Sequence, residues 1–165
     1  MARRYLRSYG PATKEDFARW WGNWQGVGKA AWAGLAGELV TISVEGRRVD
    51  TLESEIRHLS AQPATTSVQL LPNFDPYVMG HSKRDHLFEA KYSSRVSRTA
   101  GWISPVVLVG GRVVGTWSHV LDRRRLTITV DPFTRIPPRS MPALRQRAGH
   151  IAAALGAADA TVKVA

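Results

Sequence analysis

The sequence predicts an α+β fold in two parts, and three observations support this prediction. Apolar residues repeat at helical spacing over most of residues 1–38, whereas apolar and polar residues alternate as in strands in much of the chain after residue 67. Between the helical part and the strand-rich part lies a segment with the composition of a loop, Gln-Pro-Ala-Thr-Thr-Ser, at residues 62–67. A chain of 165 residues can bury two small cores. We therefore predict one domain over residues 1–62 and a second over residues 63–165.

The first domain is predicted to contain three helices followed by a hairpin. Phe17, Trp20 and Trp21 stand at i, i+3 and i+4 and predict a buried stripe on the second helix. The third helix is predicted over residues 27–38, where apolar residues are spaced by four. Alternation over residues 40–51, interrupted by a Glu-Gly-Arg turn, predicts two paired strands. This order of elements is typical of a winged helix-turn-helix.

The second domain is predicted to be a small twisted sheet or a partly closed antiparallel β-barrel. Strand-like segments recur at residues 68–71, 105–109, 112–117, 126–130 and 160–164. Gly110-Gly111 is a strong two-residue hairpin signal between two of them. One late helix is predicted from Pro138 to its cap at Gly156.

The charge of the chain indicates a polyanionic partner. Lys and Arg total 23 against 13 acidic residues, so the net charge is +10, with an isoelectric point near 10.8. Residues 1–62 hold nine basic and seven acidic groups, whereas residues 63–165 hold fourteen and six. We therefore expect duplex DNA as the partner, ahead of a membrane surface, and we expect the second domain to carry most of the basic surface.

Several classes of protein and site are excluded by composition and pattern. The chain has no cysteine, hence no disulfide and no thiolate nucleophile. No apolar run approaches the roughly 18 residues that span a bilayer, and no signal-peptide pattern opens the chain, so a cytoplasmic, nucleoid-associated protein is predicted. His81, Asp85 and His86 lack a second cluster that would complete a metal site. We expect no metal and no cofactor.

The candidate DNA contacts are basic residues at predicted turns and loops. Arg123, Arg124 and Arg125 share one predicted turn with a single acidic residue, Asp122, so part of their charge must face solvent. Guanidinium groups bind phosphate or guanine in a bidentate manner. The alternative interpretation is a solvated turn without a partner. The other candidates are Lys29, Arg47, Arg48, Lys83, Arg84, Arg95 and Arg98.

The predicted third helix has few side chains that could read bases. A helix in the major groove normally presents several Arg, Asn, Gln or Ser side chains, and residues 27–38 offer only Lys29, with Gln25 just before them. We interpret this helix as a packing element, and we expect Arg47 and Arg48 at the hairpin tip to contact phosphates instead. A transcription regulator that reads bases through Lys29 and Gln25 is the alternative.

Three blocks of sequence resemble a known family. They are RRYLRSYGPATKEDFARWWG at residues 3–22, LLPNFDPYVMGHSKRD at residues 70–85 and VLVGGRVVGTW at residues 107–117. In this order they resemble the winged-helix DNA-binding family that includes bacterial DNA glycosylases for bulky alkylated bases and interstrand crosslinks. The resemblance implies the C-terminal part of that architecture, a last winged helix followed by a small β-barrel. It also implies that residues 70–85 join the two, with Pro72 and Pro76 fixing the path and Tyr77 packing.

The sequence departs from the family at the catalytic motif. The resemblance implies a glutamine–hydrophobic–glutamine or glutamine–hydrophobic–aspartate motif in the N-terminal winged-helix region of these glycosylases. The glutamines of this chain, none of which forms the motif, are Gln25, Gln62, Gln69 and Gln146. We therefore predict a non-catalytic DNA-binding module, with a separate or missing N-terminal catalytic region and no catalytic residue of its own. The alternative is a glycosylase for alkylated or crosslinked bases whose site lies near Asp75, His81 and Asp85.

Overall fold

The computed structural model describes residues 1–22, 24–63 and 65–165, and it confirms the predicted α+β class. The chain forms two compact units, and each is described by itself. Unit 1 comprises residues 1–63 together with residues 76–86, and unit 2 comprises the described residues 65–75 together with residues 87–165. The predicted division at residue 62 thus differs in one segment, residues 76–86, which folds with unit 1.

Unit 1 contains short helices and one two-stranded hairpin. Its elements are α1 Ala2–Tyr9, α2 Lys14–Trp21, α3 Gln25–Ala33, β1 Leu39–Val44, β2 Arg47–Leu52, α4 Ile56–Ala61 and α5 Pro76–Met79. The strands β1 and β2 are antiparallel, with Val44 opposite Arg47. α3 ends earlier than predicted, because glycines at positions 34 and 37 favour turns over continued helix.

An aromatic cluster forms the core of unit 1. Phe17 is 2 % exposed, and its ring lies 5.2 Å from that of Tyr5, which in turn lies 5.2 Å from the ring of Trp20. Leu52 of β2 is buried in the same cluster. Trp21 was predicted to belong to the buried stripe, but it is 45 % exposed, because it occupies the last residue of α2 at the edge of that stripe. The core therefore holds α1, α2 and the hairpin together.

Unit 2 is built on a sheet whose described strands follow the order β3-β4-β5-β6-β7. Its elements are β3 Val68–Leu71, α6 Ser93–Val96, β4 Val106–Val109, β5 Arg112–Asp122, β6 Arg125–Pro132, α7 Met141–Ala154 and β7 Asp159–Val164. Neighbouring strands are antiparallel except β6 and β7, which are parallel. The sheet is thus mostly antiparallel, as predicted, and its one parallel pair arises because α7 carries the chain back along the sheet, so that β7 starts beside the start of β6.

The core of unit 2 lies between this sheet and α7. Leu126, Ile128 and Val130 of β6 are fully buried, as their alternation predicts, and Leu144 and Ala148 of α7 are buried in the same cluster. α7 packs against both edge strands, β3 and β7. In the described residues no pairing joins those two strands, so the predicted barrel closure stays a prediction.

The far end of the β5–β6 hairpin lies outside this core. Every residue from Ser118 to Arg125 is exposed, including Val120, whose surface is 66 % accessible. Among the described residues, no helix combines the length and the apolar character needed to cross a membrane.

Candidate nucleic-acid interface

The tight turn between β5 and β6 presents the predicted arginine cluster. Asp122 and Arg125 form the last pair of the ladder, so Arg123 and Arg124 make up a two-residue turn. The three arginines are exposed, and they line a surface depression of about 330 Å³ together with Asp122 and Asp159. The main-chain carbonyl of Arg124 accepts a hydrogen bond of 2.7 Å from the N–H of Ala158, which braces the turn. The structure thus brings three guanidiniums together on a braced and exposed loop.

Arg123 has a left-handed backbone, with φ = 53°. Two-residue hairpin turns require φ > 0 at the first central position, where glycine and asparagine are the favoured residues. An arginine in this conformation costs on the order of 1–2 kcal/mol. Backbone strain of this kind is often found at binding sites, and Arg123 therefore stays a candidate DNA contact.

Substitution of this residue is expected to change stability and DNA binding in opposite directions. Arg123→Asn should raise the free energy of unfolding by about 0.5–1 kcal/mol, because asparagine tolerates the left-handed region. The same change should weaken duplex binding several-fold because it removes one guanidinium. Urea denaturation and fluorescence anisotropy measure the two effects. Glu45→Asn is the matched control, since Glu45 also turns a hairpin with φ = 50°. It should stabilise without weakening DNA binding, and an Arg123→Asn variant of unchanged affinity would contradict the role of Arg123.

The remaining candidates of unit 2 differ in their freedom to reach DNA. Arg95 forms an ion pair with Asp131, with 2.5 Å between Nη2 and Oδ2, and its guanidinium lies over the ring of Phe133. Arg98 is exposed, and its main-chain N–H donates to the carbonyl of Trp102. Arg98 therefore presents its side chain to solvent, whereas the charge of Arg95 is used within the unit.

The candidates of unit 1 also fall into two groups. Lys29 on α3, Arg48 on β2 and Lys83 are exposed, and Arg84 is half-buried. Arg47, expected to contact phosphate, is turned inward instead: its Nη2 lies 2.9 Å from Oδ2 of Asp16. Because this ion pair occupies its guanidinium, Arg47 is left out of the interface proposed below.

Asp16 is the centre of a buried polar cluster that the sequence pattern does not predict. Its carboxylate is 1 % exposed and accepts hydrogen bonds from the main-chain N–H of Ser82 at 2.6 Å, from the Ser82 hydroxyl at 2.7 Å and from the N–H of Thr13 at 3.0 Å. Burial alone would raise the pKa of Asp16, but these hydrogen bonds outweigh burial and lower it. The contacts to Ser82 tie residues 76–86 to α2. The Thr-x-x-Asp capping box at residues 13–16 was the sequence signal for the local half of this cluster.

Neutralising Asp16 is expected to destabilise the protein. Asp16→Asn should lower the free energy of unfolding by about 2 kcal/mol at neutral pH, because Arg47 loses its anionic partner in a largely buried site. Since the pKa of Asp16 is depressed in the folded state, its stabilising effect is complete above the ordinary aspartate pKa of about 3.9. The difference between variant and wild type should therefore shrink as the pH falls further. Chemical denaturation across this pH range measures it.

The exposed neighbour Glu15, on the first turn of the same helix, provides the control. Glu15→Gln should change the free energy of unfolding by less than about 0.5 kcal/mol. An Asp16→Asn variant as stable as wild type at neutral pH would show that the buried cluster does not hold unit 1 together.

The predicted alternative catalytic loop is divided between the two units. Asp75 belongs to unit 2, whereas His81 and Asp85 belong to unit 1. Burial and then the charge of His86 lower the pKa of His81 to about 4, so its imidazole is neutral at pH 7. The His81 and His86 rings lie 4.5 Å apart, and His81 Nδ1 is buried without a hydrogen-bond partner in the structure as described. Within the described ranges, no group of three or more His, Asp or Glu side chains is placed to hold a metal.

Comparison of the chain with known protein families identifies its class. Residues 1–154 match the family described as DNA glycosylase AlkZ-like, so the chain belongs to that family. The family inferred from the three sequence blocks is thus confirmed. Membership of a family of DNA glycosylases supports the alternative prediction, a DNA glycosylase, over the first prediction, a non-catalytic DNA-binding module.

The individual matches, one by sequence and one by structure, both come from Streptomyces sahachiroi. The chain is 38 % identical, over 164 residues, to an interstrand DNA cross-link repair glycosylase, and the match covers 97 % of this chain and 43 % of the relative. The solved structure of the DNA glycosylase AlkZ matches with a TM-score of 0.84 at 35 % identity, covering 99 % of this chain and 44 % of that one. The chain therefore spans less than half the length of these relatives.

Proposed function

We propose that the protein acts as a DNA glycosylase in the repair of interstrand crosslinks, and that this chain contributes duplex binding to that activity. The observation that carries the proposal is the match of nearly the whole chain, in sequence and fold, to a crosslink repair glycosylase. Action on chromosomal DNA would place the protein with the nucleoid in the cytoplasm.

The distribution of charge supports phosphate contacts as the mode of binding. Unit 2 carries twelve basic and five acidic residues, and unit 1 carries eleven and eight. The exposed guanidiniums of the β5–β6 turn lie on the more basic unit, and Lys29 is the one cationic residue of α3. Phosphate contacts position a protein on the duplex without reading its sequence. We therefore assign to the chain binding with little sequence preference.

Base excision, the chemical step, requires groups that we do not identify in this chain. Excision of a base needs an extruded nucleotide and a group that positions or activates water beside the glycosidic bond. The glutamine motif implied by the family resemblance is absent from this sequence, and we assign no catalytic residue here. Base release from a crosslinked duplex by the purified chain would show that the chemical step lies within it, and loss of that release in Asp75→Asn or Asp85→Asn would locate the site.

Loss of the gene is expected to sensitise cells to crosslinks. A deletion strain should be killed at lower doses of a bifunctional alkylating agent, with a smaller effect for a monofunctional agent that cannot join the two strands. The wild-type gene should restore resistance, and a gene carrying R123A, R124A and R125A should restore it only in part. Survival curves measure these effects. A deletion strain as resistant as its parent would contradict the proposed function.

A further inference from the structure

A surface cavity of about 510 Å³ lies in unit 1, outside the arginine turn described above. The first two turns of α2, the beginning of α3 and Ser82 form its walls. Three cationic residues, Lys14, Arg19 and Lys29, line it together with one acidic residue, Glu15. Lys29 alone among them could be predicted as a candidate DNA contact from the sequence, because the others become neighbours of Lys29 only through the packing of α3 on α2.

Close approach of α2 and α3 explains why the cavity exists. Gly28 of α3 faces the main chain of α2, and a Cβ at this position would lie 2.3 Å from the carbonyl oxygen of Lys14. Only glycine permits this contact. The approach places the side chain of Lys29 on the same cavity as that of Lys14, on the neighbouring helix.

The electrostatics of the cavity favour an anion. Arg19 is held in place, because its Nε donates a hydrogen bond of 2.9 Å to the carbonyl of Met79. Arg84 is not among the lining residues, but the charge of Arg19 acts on it: burial, and then the charge of Arg19, lower the pKa of Arg84. Glu15 lies 3.9 Å from the Lys14 ammonium, with both side chains more than half exposed, so it compensates little of this charge.

We propose that this cavity binds a phosphate group, and that in the working protein the phosphate belongs to the backbone of duplex DNA. The assignment to DNA rests on the proposed function, whereas the affinity for phosphate follows from the cavity itself. α3 has few side chains that could read bases, but phosphate binding does not need them. It requires ammonium and guanidinium groups rather than amides. It would anchor unit 1 on the duplex independently of unit 2.

The first arm of the test uses DNA. The variant Lys14→Ala/Lys29→Ala removes two exposed charges from the cavity, and Arg57→Ala/Lys163→Ala removes two exposed charges elsewhere as a matched control. Each is titrated with the same short duplex at several salt concentrations. In the control, the Kd and the slope of log K against log salt should stay close to those of the wild type. In the cavity variant the Kd should be about tenfold higher, and the slope should be shallower by about one, because one phosphate is no longer neutralised.

The second arm uses inorganic phosphate at constant ionic strength, with chloride as the reference salt. Amide resonances of Gly26 and Lys29 should shift on titration in the wild type and not in the cavity variant. If phosphate shifts these resonances but the wild type binds no duplex, the cavity stands as a phosphate site and the proposed function fails. If the wild type binds duplex, the cavity variant behaves as the control and phosphate causes no shift, the phosphate site is overturned and the proposed function is untouched.

Discussion

The affinity of this chain for duplex DNA is expected to fall about 10²–10³-fold when monovalent salt rises from about 50 to about 200 mM. A surface that neutralises roughly five phosphates releases their counterions, which gives a slope of log K against log salt near −4 to −5. The net charge of +10 and the exposed arginines of the β5–β6 turn motivate this expectation. Fluorescence anisotropy titrations at four or more salt concentrations measure the slope.

Random duplexes of equal length serve as the control for sequence reading. They should bind with the same slope and nearly the same affinity, because phosphate contacts carry no sequence information. Affinity that does not change with salt would contradict the phosphate mode of binding. A sharp preference for one duplex over random competitors would instead favour the base-reading regulator.

Removal of the arginine turn is expected to produce the second large loss. The combined change Arg123→Ala, Arg124→Ala and Arg125→Ala should weaken duplex binding about 10²-fold at low salt and reduce the salt slope by about three, one for each phosphate that is no longer neutralised. The triple variant should still fold, since the three substituted side chains are exposed. Anisotropy titrations of the variant across the same salt range measure both quantities.

Two comparisons distinguish the turn from charge in general. A triple variant at Arg135, Arg139 and Arg145 removes three other exposed positive charges from unit 2 and should weaken binding far less. Lys29→Ala with Arg48→Ala should also weaken it less, and Arg47 is left unchanged in this variant because it pairs with the buried Asp16. Equal losses in the turn variant and in the unit 2 control would show that only net charge matters.

Local pattern was sufficient to predict much of the fold. Alternation at Leu126, Ile128 and Val130 predicted a strand, and all three side chains are fully buried in the sheet. Alternation carries no information about strand direction, which explains why the parallel pairing of β7 was not foreseen. The β5–β6 turn could be proposed as a candidate DNA contact because an excess of arginines over aspartates is visible in the sequence alone.

Long-range side-chain contacts were beyond the reach of local pattern. The hydrogen bonds between Asp16 and Ser82 join residues 66 positions apart, and they hold residues 76–86 on unit 1. The same carboxylate turns Arg47 inward, away from the phosphate role that its place at a hairpin tip had indicated. The phosphate cavity depends equally on packing, since Gly28 brings α3 onto α2.

A titration of the purified chain with two duplexes of identical sequence, one carrying a single interstrand crosslink, decides whether this protein binds the DNA that we assign to it. We expect both duplexes to bind at low salt, with no loss of affinity at the crosslink, and we expect the triple arginine variant to bind both about 10²-fold more weakly. A chain that leaves the crosslinked duplex unbound at low salt, or a triple variant that binds it as tightly as the wild type, would contradict this account.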